Sequence, residues 1–299
     1  MSEHTAPSVL RHTARSARNR RRRQELGFFQ RHPHIFVHAA LITGGFVMAF
    51  PFLWQLIVSL STQAEVTNVP PSLWPEVLRW ENYALVFDRV PFLRQFGVSA
   101  VVTIITVVGQ IVFCSMAGFA FARMHFWGRG IIFAGILSIL MVPTQAFLIP
   151  QFEIVQSLGL MNTVWGIAAP GVFSAFGTFL MRQAFLALPG EIEEAARLDG
   201  ASPWQMFWRV MLPLTKPSLS ALTIITVLFA WNSLLWPLVV TTEASRMPLA
   251  VSLATMQGQH GTEYPMLMAA ALMAMAPVLV VFIVLQRRVV EGLAHSGLK

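Results

Sequence analysis

Charge is scarce in this chain of 299 residues: Asp, Glu, Lys and Arg make up only 12%, and 55% of the residues are hydrophobic. A soluble globular domain carries about 25% charged residues, so this balance, with a mean hydropathy of +0.61, excludes one and points to a membrane protein. Lysine is nearly missing. Of the two present, Lys216 precedes a proline and Lys299 is the final residue, so neither can be the lysine of Gly-x4-Gly-Lys-Ser/Thr. The chain therefore has no nucleotide-binding P-loop. A single cysteine, Cys114, excludes an intrachain disulfide and a thiolate metal cluster within the chain. Also missing are His-Glu-x-x-His, Gly-x-Ser-x-Gly and any pair of intramembrane carboxylates. A polytopic membrane enzyme would need one of those catalytic sets, and a secondary transporter typically shows inverted repeats or carboxylates for ion coupling. Both classes stay as alternatives, with little to support them. His260 and Glu263 read as solvated loop residues, not as metal ligands.

What is abundant is apolar sequence of membrane length. A hydrocarbon core near 30 Å needs about 20 mostly apolar residues per helix. Six stretches qualify, at about 35–60, 96–122, 130–151, 163–181, 218–240 and 265–286. The expected fold is an all-α bundle of six transmembrane helices, multi-pass in the cell membrane. The first run lacks a small-residue cleavage site and reads as a retained span. Of the 21 Lys and Arg residues, 17 fall in segments that alternate with those holding Arg79, Arg89, Arg94 and Arg246. The positive-inside rule then places both termini and the segment 189–217 in the cytoplasm. Residues 1–34 hold the run Arg20 to Arg23 and read as a basic, solvated tail drawn to anionic headgroups, not as a nucleic-acid-binding arm. Residues 35–288 form one membrane domain, and 289–299 a short extension.

The segment 189–217 is the most informative. Glu191, Glu193 and Glu194 sit where a helix N-terminus favours carboxylates, and Arg197 sits near the C-terminal end. Gly200 ends that helix, because glycine enters the left-handed conformation that other residues reach only at a cost of about 1–2 kcal/mol. Ser202 then caps a second helix, with Pro203 at its first position and Gln205 completing a Ser-x-x-Gln capping box. Pro213 and Pro217 are expected to stop it. The run Glu194-Ala195-Ala196, three residues, Gly200, nine residues, Val210, one residue, Leu212-Pro213 resembles the coupling loop of permease subunits in binding-protein-dependent ABC importers, and Asp199 before the glycine resembles the carbohydrate branch. Phe121 to Arg129, Leu158 to Thr163, Trp231 to Leu238 and Gly292 to Lys299 are similar to further segments of sugar permeases of the maltose-system type.

That resemblance implies a type I ABC importer permease that forms half of a translocation pathway for a sugar or oligosaccharide; a polyol, an amino sugar or a glycerol phosphodiester stays open. It implies as partners a second homologous permease, an ATPase dimer that binds ATP and Mg, an extracytoplasmic solute-binding protein and membrane lipid, with no cofactor in this chain. Carried over onto these residues, Glu194 is the charged contact to the ATPase, Ala195 and Ala196 allow close approach, Gly200 makes the bend, Asp199 fixes it by hydrogen bonding, and Leu212-Pro213 close the motif. The tail Gly292 to Lys299 reaches toward the ATPases.

Polar residues inside the spans are costly unless partnered. Gln110, Gln145 and Asn232, with Ser115, Thr144 and Ser233 nearby, read first as interhelical hydrogen-bonding groups. The functional alternative is a pathway in which Asn232 and Trp236, one helical turn apart, offer an amide and an aromatic surface to a sugar. Pro143, Pro150, Pro170, Pro237 and Pro277 are expected to break helices at membrane depth. The outer loop from Ser61 to Gln95 carries Trp74, Trp80, Tyr83 and Phe92, which suit either a docked binding protein or the membrane interface.

Overall fold

A computed structural model describes residues 33–70, 72–257 and 261–296; the basic run Arg20 to Arg23, His260 and the last three residues of the C-terminal motif lie outside them. Two units are distinguished, one ending at Leu56 and one beginning at Ile57. Among the described residues the chain is helical and has no strand.

The helix α1 (Pro33–Ser59), all but its last three residues in the first unit, runs uninterrupted through Pro51 and exposes Leu41, Ile42, Phe46 and Met48. An apolar surface that water would reject is what a lipid-facing span requires. In the second unit come α2 (Gln63–Thr67), α3 (Glu81–Arg89) and the long α4 (Phe92–Arg123). α5 (Arg129–Met141) and α6 (Thr144–Ser157) follow, then α7 (Val164–Gly171) and α8 (Ala175–Leu186). α9 (Gly190–Leu198) and α10 (Pro203–Leu214) form a hairpin before α11 (Lys216–Trp231), α12 (Leu235–Val240), α13 (Leu249–Thr255) and α14 (Tyr264–Ser296).

Three of the expected six spans are single helices: α1, α4 and α14 are each long and apolar enough to cross a membrane. Of the other three, α5 with α6 bend by 103° and α7 with α8 by 46°, and α11 leaves α10 of the hairpin at 80°. The stretch expected as one span at 130–151 is therefore broken. Pro143 lies in the gap, where its ring and missing N–H end the ladder, and α6 resumes at Thr144. The expected span at 163–181 breaks before Ala175 because Ser174 caps a new helix, its Oγ accepting from the Gly177 N–H at 3.0 Å. The expected span at 218–240 ends at Trp231 and restarts at Leu235.

Not all the prolines act as expected. Pro150 and Pro237 lie in the first turns of helical segments, where N–H groups have no intrahelical acceptor and proline costs little. Pro277 sits inside α14 without ending it.

α4 is the axis of the second unit and packs most extensively on α8, then on α11. The α4–α8 contact is close because Gly118 has no side chain: a Cβ there would lie 2.7 Å from Met181 Cβ and 2.8 Å from the Arg182 backbone nitrogen. Gln110 ties α4 to the end of α7 and to α11. Its amide donates to the Gly171 carbonyl at 2.9 Å, and its carbonyl accepts from the Thr226 hydroxyl at 2.8 Å, as the hydrogen-bonding reading anticipated. In the segment 61–95 Phe92 is buried and Tyr83 bonds Ser59 at 2.9 Å, while Trp74 and Trp80 are exposed.

Candidate functional site

The hairpin α9–α10 is built by local rules. Glu191 and Glu193 occupy the first turn of α9 and Arg197 the last, each complementing the charge of its helix end. Asp199 is the C-cap and Gly200 follows at φ +78°. The Ala201 N–H donates to the Ala196 carbonyl and the Gly200 N–H to the Arg197 carbonyl, both at 3.0 Å, which is the Schellman closure. The bend is held by backbone alone. The expected hydrogen bond to the Asp199 carboxylate is not made among the described residues, since the Gly200 and Ala201 N–H groups beside it already donate to helix carbonyls. Two residues on, the Gln205 N–H donates to Ser202 Oγ at 3.3 Å and the Ser202 N–H to Gln205 Oε1 at 2.9 Å, the expected capping box.

Pro213 does not stop the second helix. The helix continues to Leu214, with Met206–Met211 wound as a π-helix. Proline cannot donate to the carbonyl four residues back, and a widened turn ahead of it relieves both that loss and the clash of the ring. The stop falls at Thr215, and Pro217 lies in the first turn of α11. Met206, Phe207, Met211 and Leu212 are buried in a cluster with Phe119, Met181 and Phe185. Leu212 is thus an inward anchor. Ala196 packs against the same cluster while Ala195 is exposed, so the two alanines face different surroundings. Glu194, Asp199 and Gly200 are exposed with Ala195, beside two residues that sequence reading passed over, Leu198 at 89% and Trp204 at 59% exposure.

Glu193, the neighbour of the motif glutamate, is the carboxylate that is engaged. It lies 3.5 Å from Arg123 at the end of α4 and 2.6 Å from Arg197. Seventy positions separate Glu193 from Arg123, and no local pattern links them.

A second feature lies at the break after α11. Asn232 and Trp236 were expected on one helical face; instead they flank the interruption, because the helix ends at Trp231. Both nevertheless line one cavity of about 640 Å³, with Thr144, Gln145, Gln151 and Ser233 as further polar groups and Phe229 as a second aromatic. The lining holds no charged side chain. Asn232 is exposed, its amide donating to the Leu228 carbonyl at 2.9 Å. The Trp236 indole N–H donates to the Gly166 and Ile167 carbonyls at 3.1 and 3.2 Å. Its polar edge is thus tied to α7 and its ring is held as a fixed wall. Such a surface suits a neutral polyhydroxy ligand: amides and hydroxyls for hydroxyl groups, and rings for apolar faces.

Residues 110–295 match a family model described as binding-protein-dependent transport system inner membrane component. The chain is 34% identical over 257 residues to the arabinooligosaccharides transport system permease protein AraQ of Halalkalibacterium halodurans, covering 85% of this chain and 92% of that protein. It is 32% identical over 270 residues to the sn-glycerol-3-phosphate transport system permease protein UgpE of Yersinia pestis, covering 88% and 96%. A chain in the crystal structure of a bacterial ABC transporter involved in the import of the acidic polysaccharide alginate superposes with a TM-score of 0.75 at 25% identity, over 86% of this chain and 96% of that one.

Proposed function

Because the chain belongs to the family of binding-protein-dependent transport system inner membrane components, a multi-pass permease of the inner membrane, we propose that it forms half of the pathway by which an ATP-driven importer carries a neutral sugar or oligosaccharide. One observation carries the choice of cargo: the cavity at the α11–α12 break sets amides and hydroxyls among leucine side chains and aromatic rings, without a single charge. A phosphodiester or a uronate polymer would bring anionic groups into a space with nothing to neutralise them, and desolvating an unpaired charge is expensive. A neutral oligosaccharide meets no such cost.

In this reading a second homologous permease completes the pathway, a solute-binding protein delivers the cargo, and an ATPase pair binds ATP and Mg. This chain hydrolyses nothing and needs no cofactor. Both termini and the hairpin α9–α10 lie in the cytoplasm, as the charge distribution favours. The exposed set Glu194, Ala195, Leu198, Asp199, Gly200 and Trp204 meets the ATPase, while Leu212 and Pro213 root the second arm. Asn232 and Trp236 face the cargo.

The purified single chain is expected to show no ATP turnover. The assembled complex in vesicles is expected to hydrolyse ATP faster when the loaded binding protein is added, and to accumulate arabinotriose in preference to glycerol 3-phosphate. ATP hydrolysis by the single chain would sink the transport-subunit reading, and preference for glycerol 3-phosphate would sink the neutral-cargo reading. Orientation is tested with single cysteines at Ser72 and Gly190; a side chain at 190 meets open space, and Cys114 is buried. An impermeant thiol reagent added to intact cells should label position 72 and spare position 190, and the reverse pattern would invert the topology.

A further inference from the structure

At the base of the hairpin two arginines cap each other's helices. Arg123, the last residue of α4, directs its guanidinium at the end of α8: Nε and Nη2 donate to the Phe185 carbonyl at 3.2 and 2.6 Å, and Nη2 also donates to the Leu188 carbonyl. Arg182 of α8 answers, its Nε donating to the Phe121 carbonyl in the last turn of α4 at 3.2 Å, while its guanidinium carbon lies 4.4 Å from the centre of the Phe133 ring on α5. Carbonyls at a helix C-terminus have no intrahelical donor, and here each helix supplies the other's. The remaining arm of Arg123 reaches across to α9, where Nη1 lies 3.5 Å from Glu193 Oε2 with both side chains only 13% exposed.

We infer that Arg123 is a positioning residue that, with Glu193, locks the hairpin to the ends of α4 and α8, so that a load on the hairpin moves these helices as one body. Without that lock the hairpin would be held by its peptide connections at Ala187 to Pro189 and at Thr215 and by the apolar packing of α10. Arginine suits the place because a planar fork can serve two carbonyls and a carboxylate together, whereas a lysine ammonium is a single point charge. Glu193 and Glu194 then divide the work, one facing the membrane helices and the other facing outward. The inference rests on the coupling reading of the hairpin given above.

The experiment uses the whole complex in vesicles, comparing the parent with Arg123→Lys, Arg123→Gln and Glu193→Gln for ATPase retention, ATP hydrolysis and arabinotriose uptake. Each variant is expected to insert and keep the ATPase, with hydrolysis within about twofold of the parent, while uptake per ATP falls about tenfold for Arg123→Gln and Glu193→Gln, the size of an ordinary coupling free energy. Arg123→Lys is expected to fall between parent and Arg123→Gln. The Arg123→Gln, Glu193→Gln double variant is expected to lose little more than either single one, because both cut the same link. A lock that served folding alone would lower the amount of complex and leave uptake per ATP unchanged; that result, or independent additive losses, overturns the inference and leaves the coupling reading standing. A parent complex that retains no ATPase removes both.

Discussion

The hairpin α9–α10 and the cavity after α11 hold their functional residues in opposite ways. Every residue that shapes the hairpin's turn lies within about ten positions of the next: the main-chain Schellman closure around Gly200 and the side-chain capping box from Ser202 to Gln205 are both short-range devices. The cavity draws its walls from α6, α11 and α12, and Trp236 is fixed by carbonyls some seventy positions earlier in α7. A locally built element keeps its form while its neighbours move; a cavity made of several helices changes whenever they do. That contrast matches what a lever and a pathway each need.

The largest effect is expected at the lever. Gly200 sits at φ +78° with open space around it, so substitution there is resisted by backbone conformation, not by crowding. Gly200→Val should abolish uptake and weaken ATPase retention, because a β-branched residue strongly disfavours that region, whereas Gly200→Asn, which tolerates it, should keep most of both. Glu194→Ala leaves the turn intact and should lower uptake with a smaller loss of retention. Co-purification and vesicle uptake measured side by side check all three, and a fully active Gly200→Val would break the comparison.

A middle-sized effect belongs to the cavity. Trp236→Phe keeps a ring but removes the donor to the Gly166 and Ile167 carbonyls, and should destabilise the protein by about 1–2 kcal/mol. Asn232→Leu affects an exposed amide bonded within its own helix, and should leave stability within about 0.5 kcal/mol while reducing arabinotriose uptake. Thermal unfolding read beside uptake sharpens the distinction between wall and contact; equal effects of the two variants on both measurements would erase it.

The smallest effect lies in the loop between α1 and α4, where Glu65 accepts hydrogen bonds from the Thr62 and Glu76 backbone N–H groups and from the Thr62 hydroxyl. The backbone bond from Thr62 is the largest of the influences that hold its carboxyl below the usual range. A lowered folded-state pKa means stabilisation that is present above the unfolded value and fades as pH falls through the folded one. Proteolysis of the loop should therefore rise in acid below the ordinary carboxylate range. Glu65→Gln should remove that dependence.

The hairpin was legible in the sequence because caps and glycine turns are written in adjacent residues, and Gly200, Ser202 and Gln205 stand where that reading put them. The helix breaks were legible at Pro143 and at Pro170, which lies in the turn that ends α7. The interruption at Asn232 to Leu234 is marked only by the polar pair Asn232-Ser233, too short to lower the hydropathy of the surrounding run, so hydropathy passes over it. The π-helix before Pro213 was equally hidden, since proline announces a disturbed ladder without saying whether the helix stops or widens. Arg123 offered no sign of its second role: it was counted among the charges that orient the chain, and its partners on α8 and α9 emerge only when α4 packs against them.

The backbone closure of the hairpin carries one more consequence. Since the turn is fixed by the main-chain closure at Gly200 and by the capping pair Ser202 and Gln205, the other exposed positions around it, Glu194, Leu198 and Trp204 among them, are free to change identity without changing the outline they decorate. Shape and address are encoded separately. In the proposed function, where this surface meets the ATPase, a transporter built this way can be reassigned to a different motor by a few surface exchanges, and the same freedom would let an engineer swap the address while leaving the machine beneath it untouched.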